Sequence, residues 1–342
     1  MTDKIRLRTL LSKKEMVIIA LFFLIILGLM YKTFYTRHFF KMKAPVTFEV
    51  KKGESFSQIS NRLYKLGIIP GKTSFKIAGF LYGAERRIRP ARFHIQNGLN
   101  YLDLIDYLIN GEADYLKPVI LFAGSSTKFY ASRLRSEINL DSVTFLKAIK
   151  NKRLLDSLGV NETSFEGYLF PQEYDFYDHS SAEEVISIMH KAFNEFITDS
   201  IKKKTTLSDN ALHKIIIMAS IVNGETNKKD EMPRIAGVYY NRLKIGMKLQ
   251  ADPTLQYLQP NGAKRLTYQD LKIISPYNTY MHSGLPPGPI DNPGKSAIMA
   301  AVFPEKHDYL YFVADGKGGH KFSRTFSEHL KNVDEYRNRS RE

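Results

Sequence analysis

One carboxylate in this sequence stands where acid–base chemistry would want it. In "KIIIMASIVNGET", Lys214 to Thr226, a nearly unbroken apolar run ends in Asn223, Gly224 and Glu225. A carboxyl set against an apolar wall has its charged form disfavoured, so it keeps its proton toward neutral pH. Such a group can protonate a leaving oxygen, which is the service that cleavage of a glycosidic bond requires. The same residue at a helix end could instead face water and do nothing, and the local pattern leaves both open. Gly224 is expected to relax the helix just before the acid.

Two segments could line a site with Glu225. "YYNRLKIGMKLQADPTLQY", Tyr239 to Tyr257, presents Gln250, Asp252 and Thr254 on a turn begun by the Asp-Pro pair. An amide, a carboxylate and a hydroxyl suit the hydroxyls of a sugar, although Asp-Pro turns are common for purely structural reasons. "SPYNTYMHSGLPPGPIDNPG", Ser275 to Gly294, is dense in proline and glycine and reads as a long, rigid, irregular loop. Its Tyr277, Asn278 and Tyr280 combine flat rings with hydrogen-bonding tips, a surface fit for pyranose rings.

Other chemistries lack their residues. "DGKGGHK", 315–321, fails the phosphate-loop pattern and reads as a hairpin tip. None of the nine histidines forms H-E-x-x-H or a comparable pair, and no G-x-S-x-G elbow occurs. With no cysteine, disulfides and cysteine-based metal sites are excluded. Neither a metal nor a cofactor is expected. The net charge of +15, from 50 Lys and Arg against 35 Asp and Glu, favours anionic partners. The basic residues are scattered without a nucleic-acid-binding signature, so nucleic acid is not the expected partner.

The elements that must carry these residues begin with an anchor. Met16 to Tyr31, "MVIIALFFLIILGLMY", has no charge, and "KTFYT" extends it to about 20 residues, enough to span a bilayer. It is apolar on every face, unlike a core helix, and no small-residue cleavage site follows, unlike a signal peptide. A transmembrane helix over 16–36 is expected, behind a basic cytoplasmic segment over 1–15. Lys4, Arg6, Arg8, Lys13 and Lys14 before the span slightly outweigh Lys32, Arg37, Lys41 and Lys43 after it. That bias puts the amino terminus in the cytoplasm and the large body on the periplasmic side of the inner membrane.

Beyond Pro45, Val46, Phe48 and Val50 alternate as one face of a strand. Ser55 can cap a helix carrying Phe56, Ile59, Leu63 and Leu66, stopped by Gly67. With helices at 73–82 and near 100–110, this makes a small α+β module over 45–115. A larger mixed α+β domain follows over 116–335: a strand at "KPVILFAG", helices near 125–138, 142–150, 182–203, 209–223 and 232–243, and a hairpin in "DYLYFVADGKGGHKFSRTF". The basic tail after 330 reads as a solvated helix end.

The runs "MASIVNGET", "VYYNRLKIGMKLQADPTLQY", "PYNTYMHSGLPPGPIDNPGKSAIMAAVFP" and "YLYFVADGKGGHKFS", taken in this order, resemble the MltG/YceG-like family of endolytic murein transglycosylases. The resemblance covers most of the chain and includes "FEGYLFPQEY" at 165–174. It implies that the module near 46–110 is LysM-like and that the remainder is catalytic. Glu225 matches the family's glutamate before threonine in its "ASI-(I/V)-E-K-E-T" run, which implies the role of catalytic acid and base. Asn223 and Gly224 stand where that run has glutamate and lysine, so one helper carboxylate is missing. Gln250, Asp252, Thr254, Tyr277, Asn278 and Tyr280 are implied as substrate-binding residues. The resemblance further implies cleavage of the β-1,4 bond between N-acetylmuramic acid and N-acetylglucosamine with 1,6-anhydro ends, and peptidoglycan glycan strands, nascent ones above all, as substrate. Enzymes of peptidoglycan synthesis are implied partners. The alternatives are a muramidase that hydrolyses the same bond with Asp252 as second carboxylate, and a non-catalytic wall-binding scaffold.

Overall fold

The computed structural model describes residues 12–203, 208–260, 262 and 264–339. Residues 1–11 of the expected basic segment lie outside the described residues. The chain divides into two compact units between Leu116 and Lys117.

In the first unit, α1 (Lys13–Tyr35) is long and apolar enough to cross a membrane, about 34 Å at the usual rise, and buries none of its side chains. It begins earlier than the apolar run because Ser12 and Glu15 cap each other's backbone N–H groups. The rest of the unit comprises β1 (Val46–Val50), α2 (Phe56–Lys65), α3 (Lys72–Tyr82), β2 (Ala91–Ile95), α4 (Tyr101–Asn110) and β3 (Ala113–Asp114). The strands pair antiparallel in the order β1-β2-β3. Ser55 and Gln58 form the capping box that starts α2. Phe48 and Val50 meet Phe56, Ile59, Leu63, Phe75 and Phe93 in one core. Leu66, expected on the buried stripe, is exposed: α2 ends at Lys65, and helical periodicity stops with the helix.

The second unit runs β4 (Leu116–Ile120), α5 (Thr127–Ile138), α6 (Ser142–Ala148), α7 (Lys152–Ser157), β5 (Glu173–Tyr177), α8 (Ala182–Ile197), α9 (Asp209–Glu225), α10 (Met232–Lys244), α11 (Asp252–Gln256), α12 (Lys295–Val302), β6 (Tyr311–Ala314), β7 (His320–Ser323) and α13 (Phe326–Arg339). β4 pairs with β5, and β6 with β7 as the expected antiparallel hairpin. α9 is the axis of this unit. The sequence suggests one buried face, yet every residue from Ile216 to Asn223 is buried, because α10, α11 and α12 pack around it. The tail after 330 is largely solvated, as expected: Lys331 and residues 334–338 are exposed on α13, while Asn332, on the side toward the hairpin, donates to Ser323 Oγ at 2.9 Å.

Candidate active site

Glu225 is the last residue of α9. Thr226 turns the chain to extended backbone at φ −152°, ψ 147°, and its hydroxyl accepts the Lys228 N–H at 3.1 Å. Gly224 does not loosen the helix as expected. It remains helical, and a Cβ there would fall 2.5 Å from Pro253 Cβ, so glycine is what lets α9 and α11 touch. The Glu225 carboxylate accepts a hydrogen bond from the Tyr239 hydroxyl. The residue as a whole keeps partial exposure. Burial pushes Glu225 up to about 7. The Tyr239 hydrogen bond opposes this, the Asp252 charge reinforces it, and the Arg242 charge opposes it. Its place at the negative end of α9 also favours the protonated form.

The open side of Glu225 faces two cavities. One, of about 290 Å³, is walled by Tyr239, Arg242, Gln250, Asp252, Tyr280 and Phe312. The other, of about 340 Å³, lies between Asn223–Lys228 and the tip of the β6–β7 hairpin. Glu231 holds that tip, taking the His320 N–H at 3.1 Å and pairing with His320 Nδ1 at 2.7 Å. The tip is a turn, with Asp315 Oδ1 accepting the N–H groups of Lys317 and Gly319 at 2.6 and 2.9 Å.

Of the residues expected to bind substrate, Gln250, Asp252 and Tyr280 gather around Glu225. Tyr280 donates its hydroxyl to Asp252 Oδ1 at 2.5 Å. The Gln250 N–H reaches Thr279 O at 3.1 Å, which leaves its side chain exposed at the rim. Thr254 and Asn278 do not line the cleft. Thr254 is fully buried, its hydroxyl spent on Ala251 O at 2.7 Å and Thr279 Oγ1 at 3.0 Å. Asn278 is also fully buried. Its Nδ2 donates to Leu271 O and Ile273 O at 3.0 and 2.8 Å, and its Oδ1 accepts the Tyr280 N–H at 3.0 Å. Both side chains brace the loops that carry Asp252 and Tyr280. Tyr277 lines a separate cavity of about 520 Å³, packed against Tyr257 at 5.2 Å between ring centroids.

Sequence reasoning missed Tyr239 and Arg242. They lie three apart on α10, both buried, within an otherwise apolar face. That spacing was the available signal. Arg242 donates Nε to Leu310 O at 2.7 Å, and its guanidinium lies over Tyr239 and Tyr311. Two further buried acids also escaped notice, Glu166 and Asp291. Burial raises Glu166 to about 7, against the Thr127 hydroxyl at 2.6 Å and N–H at 2.9 Å. Asn292, fully buried, ties this region together. Its Oδ1 accepts the N–H groups of Gly167 and Leu169 at 2.9 and 3.2 Å, and its Nδ2 donates to Ser125 O and Glu166 Oε1, both at 3.2 Å.

An acid poised near neutrality in an open, polar cleft defines a class of protein that delivers a proton to a bound ligand. The chain belongs to the YceG-like family, whose profile matches residues 48–335. It is 33% identical over 311 residues to the endolytic murein transglycosylase of Bacillus subtilis, an alignment covering 86% of this chain and 85% of that protein. It is 27% identical over 328 residues to the endolytic murein transglycosylase of Streptococcus pneumoniae, of whose length it spans 59%. A crystal structure of a YceG-like protein from Listeria monocytogenes is also similar: TM-score 0.58 and 31% identity, covering 84% of this chain and 98% of that one.

Proposed function

We propose that this chain is a lytic transglycosylase of peptidoglycan, cleaving the β-1,4 bond between N-acetylmuramic acid and N-acetylglucosamine inside glycan strands. The observation that carries the reading is Glu225: a carboxyl raised to about 7, held by the Tyr239 hydroxyl and opening into a cleft. Protonated Glu225 gives its proton to the glycosidic oxygen, and the bond from that oxygen to C1 of the muramoyl residue breaks. The carboxylate so formed takes the proton of the muramoyl 6-hydroxyl. That oxygen bonds to C1, closes the 1,6-anhydro ring and returns Glu225 to its starting state. No water enters, so one carboxyl suffices, and the tethered nucleophile gains from proximity. The relatives named endolytic murein transglycosylase support the same substrate.

In this reading 45–115 is a LysM-like glycan-binding module and 116–335 the catalytic domain. α1 anchors the chain in the cytoplasmic membrane with the catalytic domain outside. The anchor confines cutting to nascent strands near that membrane, beside the enzymes that synthesise them. Asp252, in the same cavity as Glu225, supports a second reading, hydrolysis with two carboxyls. Mass spectrometry of peptidoglycan digested by the purified protein decides between them. Anhydro ends, lost in Glu225→Gln, bear out the lyase, whereas reducing ends establish the hydrolase. Uncut glycan from a folded protein leaves only a scaffold.

A further inference from the structure

A fourth cavity, of about 620 Å³, meets the Glu225 cleft at Gly224, which is a wall of both. Its size is that of a small-ligand site. Asp291 lines it, only 4% exposed, and its Oδ1 has no hydrogen-bond partner among the described residues. Its Oδ2 lies toward Gly224, 3.9 Å from where a Cβ would stand. The residues on either side are fully committed: the Ile290 N–H to Ser220 Oγ at 3.1 Å, and Asn292 to four partners. The loop is therefore fixed around Asp291 while its Oδ1 is left unused. A buried polar group without a partner destabilises a fold, and a ligand that completes its hydrogen bonding recovers that loss on binding. At the mouth, Phe129 exposes 48% of its surface, beside exposed Lys128 and the half-buried Gln256 and Tyr257. An apolar ring, amide and phenol around a neutral acid match the face and hydroxyls of a sugar, and an ammonium matches an acidic substituent.

We infer that this cavity is a sugar subsite next to the cleavage point, holding a neighbouring amino-sugar ring of the strand on Asp291, Gln256 and Phe129, with Lys128 reading the lactyl or peptide carboxylate of a muramoyl residue. The inference rests on the proposed glycan substrate. Burial, reinforced by the charge of Glu166, holds the Asp291 carboxyl well above the usual carboxylate range. It therefore both donates and accepts toward a hydroxyl or acetamide.

The test uses the full chain carrying Glu225→Gln, so that bound oligomers are not cut. Its probes are a tetrasaccharide alternating N-acetylglucosamine and N-acetylmuramic acid, and an all-N-acetylglucosamine tetramer. Asp291→Leu is expected to weaken binding of the first by about five- to tenfold, the worth of one hydrogen bond, while Tm holds or rises. Asp291→Asn, which keeps a neutral donor and acceptor, stays within about twofold of its parent. Lys128→Ala lowers affinity for the muramic oligomer but not for the other. Unchanged affinity in a folded Asp291→Leu protein overturns the subsite, as does equal loss in the Asn and Leu variants with a falling Tm. If the parent binds neither oligomer, the subsite is likewise overturned. If Asp291→Leu weakens binding while the unmutated protein yields no anhydro ends, the lyase reading fails and the subsite stands.

Discussion

Replacing Glu225 by glutamine removes the proton donor and should abolish cleavage, but its effect on stability tests the physical premise more directly. In the folded protein Glu225 titrates near 7 rather than at 4.5. The folded-state value is raised. Stability associated with the neutral acid is therefore complete below the unfolded value and is lost as pH climbs through the folded one. From 4.5 to about 7 the loss amounts to roughly 3 kcal/mol, at 1.36 kcal/mol for each pH unit. Glutamine has the same shape, still accepts the Tyr239 hydrogen bond, and never ionises. The variant should match the parent at pH 4 and exceed it increasingly between pH 5 and 8. For a domain of this size that corresponds to a Tm advantage growing by about 6–12 °C. Glu166 and Asp291, also raised, are shared by both proteins and cancel in the difference. Calorimetry of both proteins in matched buffers gives the answer. A Tm difference that stays flat across this range would refute the claim that Glu225 is held protonated by its surroundings.

Cleavage itself should fall above about pH 7 as Glu225 loses its proton. In Tyr239→Phe the donor that stabilises the ionised form is gone, so the alkaline limb should move up by about one pH unit; a limb that moves down contradicts the geometry. Gly224→Ala places a methyl 2.5 Å from Pro253 Cβ. It should cost about 1–3 kcal/mol in urea denaturation, and should lower kcat by displacing α11 with Asp252. Asn292→Ala strips partners from Gly167, Leu169, Ser125 and Glu166. A loss of about 3–5 kcal/mol is expected, against less than about 0.5 kcal/mol for exposed Asn227→Ala.

Local chemistry made much of this fold readable. Alternation set β1, the Ser55–Gln58 pair set the start of α2, and an Asp-Gly turn set the hairpin. Glu225 stood out because an acid ending an apolar run is a local anomaly. What stayed hidden depends on contacts between distant segments. A threonine hydroxyl or asparagine amide serves a sugar or a buried carbonyl equally well, so Thr254 and Asn278 looked like cleft residues until their partners were known. Gly224 looked like a helix breaker because Pro253, the neighbour that requires it, lies well along the chain. Tyr239 and Arg242 were masked by an amphipathic helix whose buried side happens to face the acid. Asp291 lay in a proline-rich stretch where acids ordinarily meet solvent, and only tertiary packing encloses it.

The reach of Asn292 also governs how the molecule is made. Its amide joins Ser125 across 167 positions, and Gly167 across 125. Until the ribosome has delivered this one residue, the floor beneath Glu166 and the seat of Asp291 have no closure. More than half of the second unit must therefore wait, collapsed but unlocked, for its last third. A nascent chain stalled before this point would lack α12, the helix α9 packs against most, and would leave that apolar flank of α9 uncovered, the form that proteases and chaperones are built to seize.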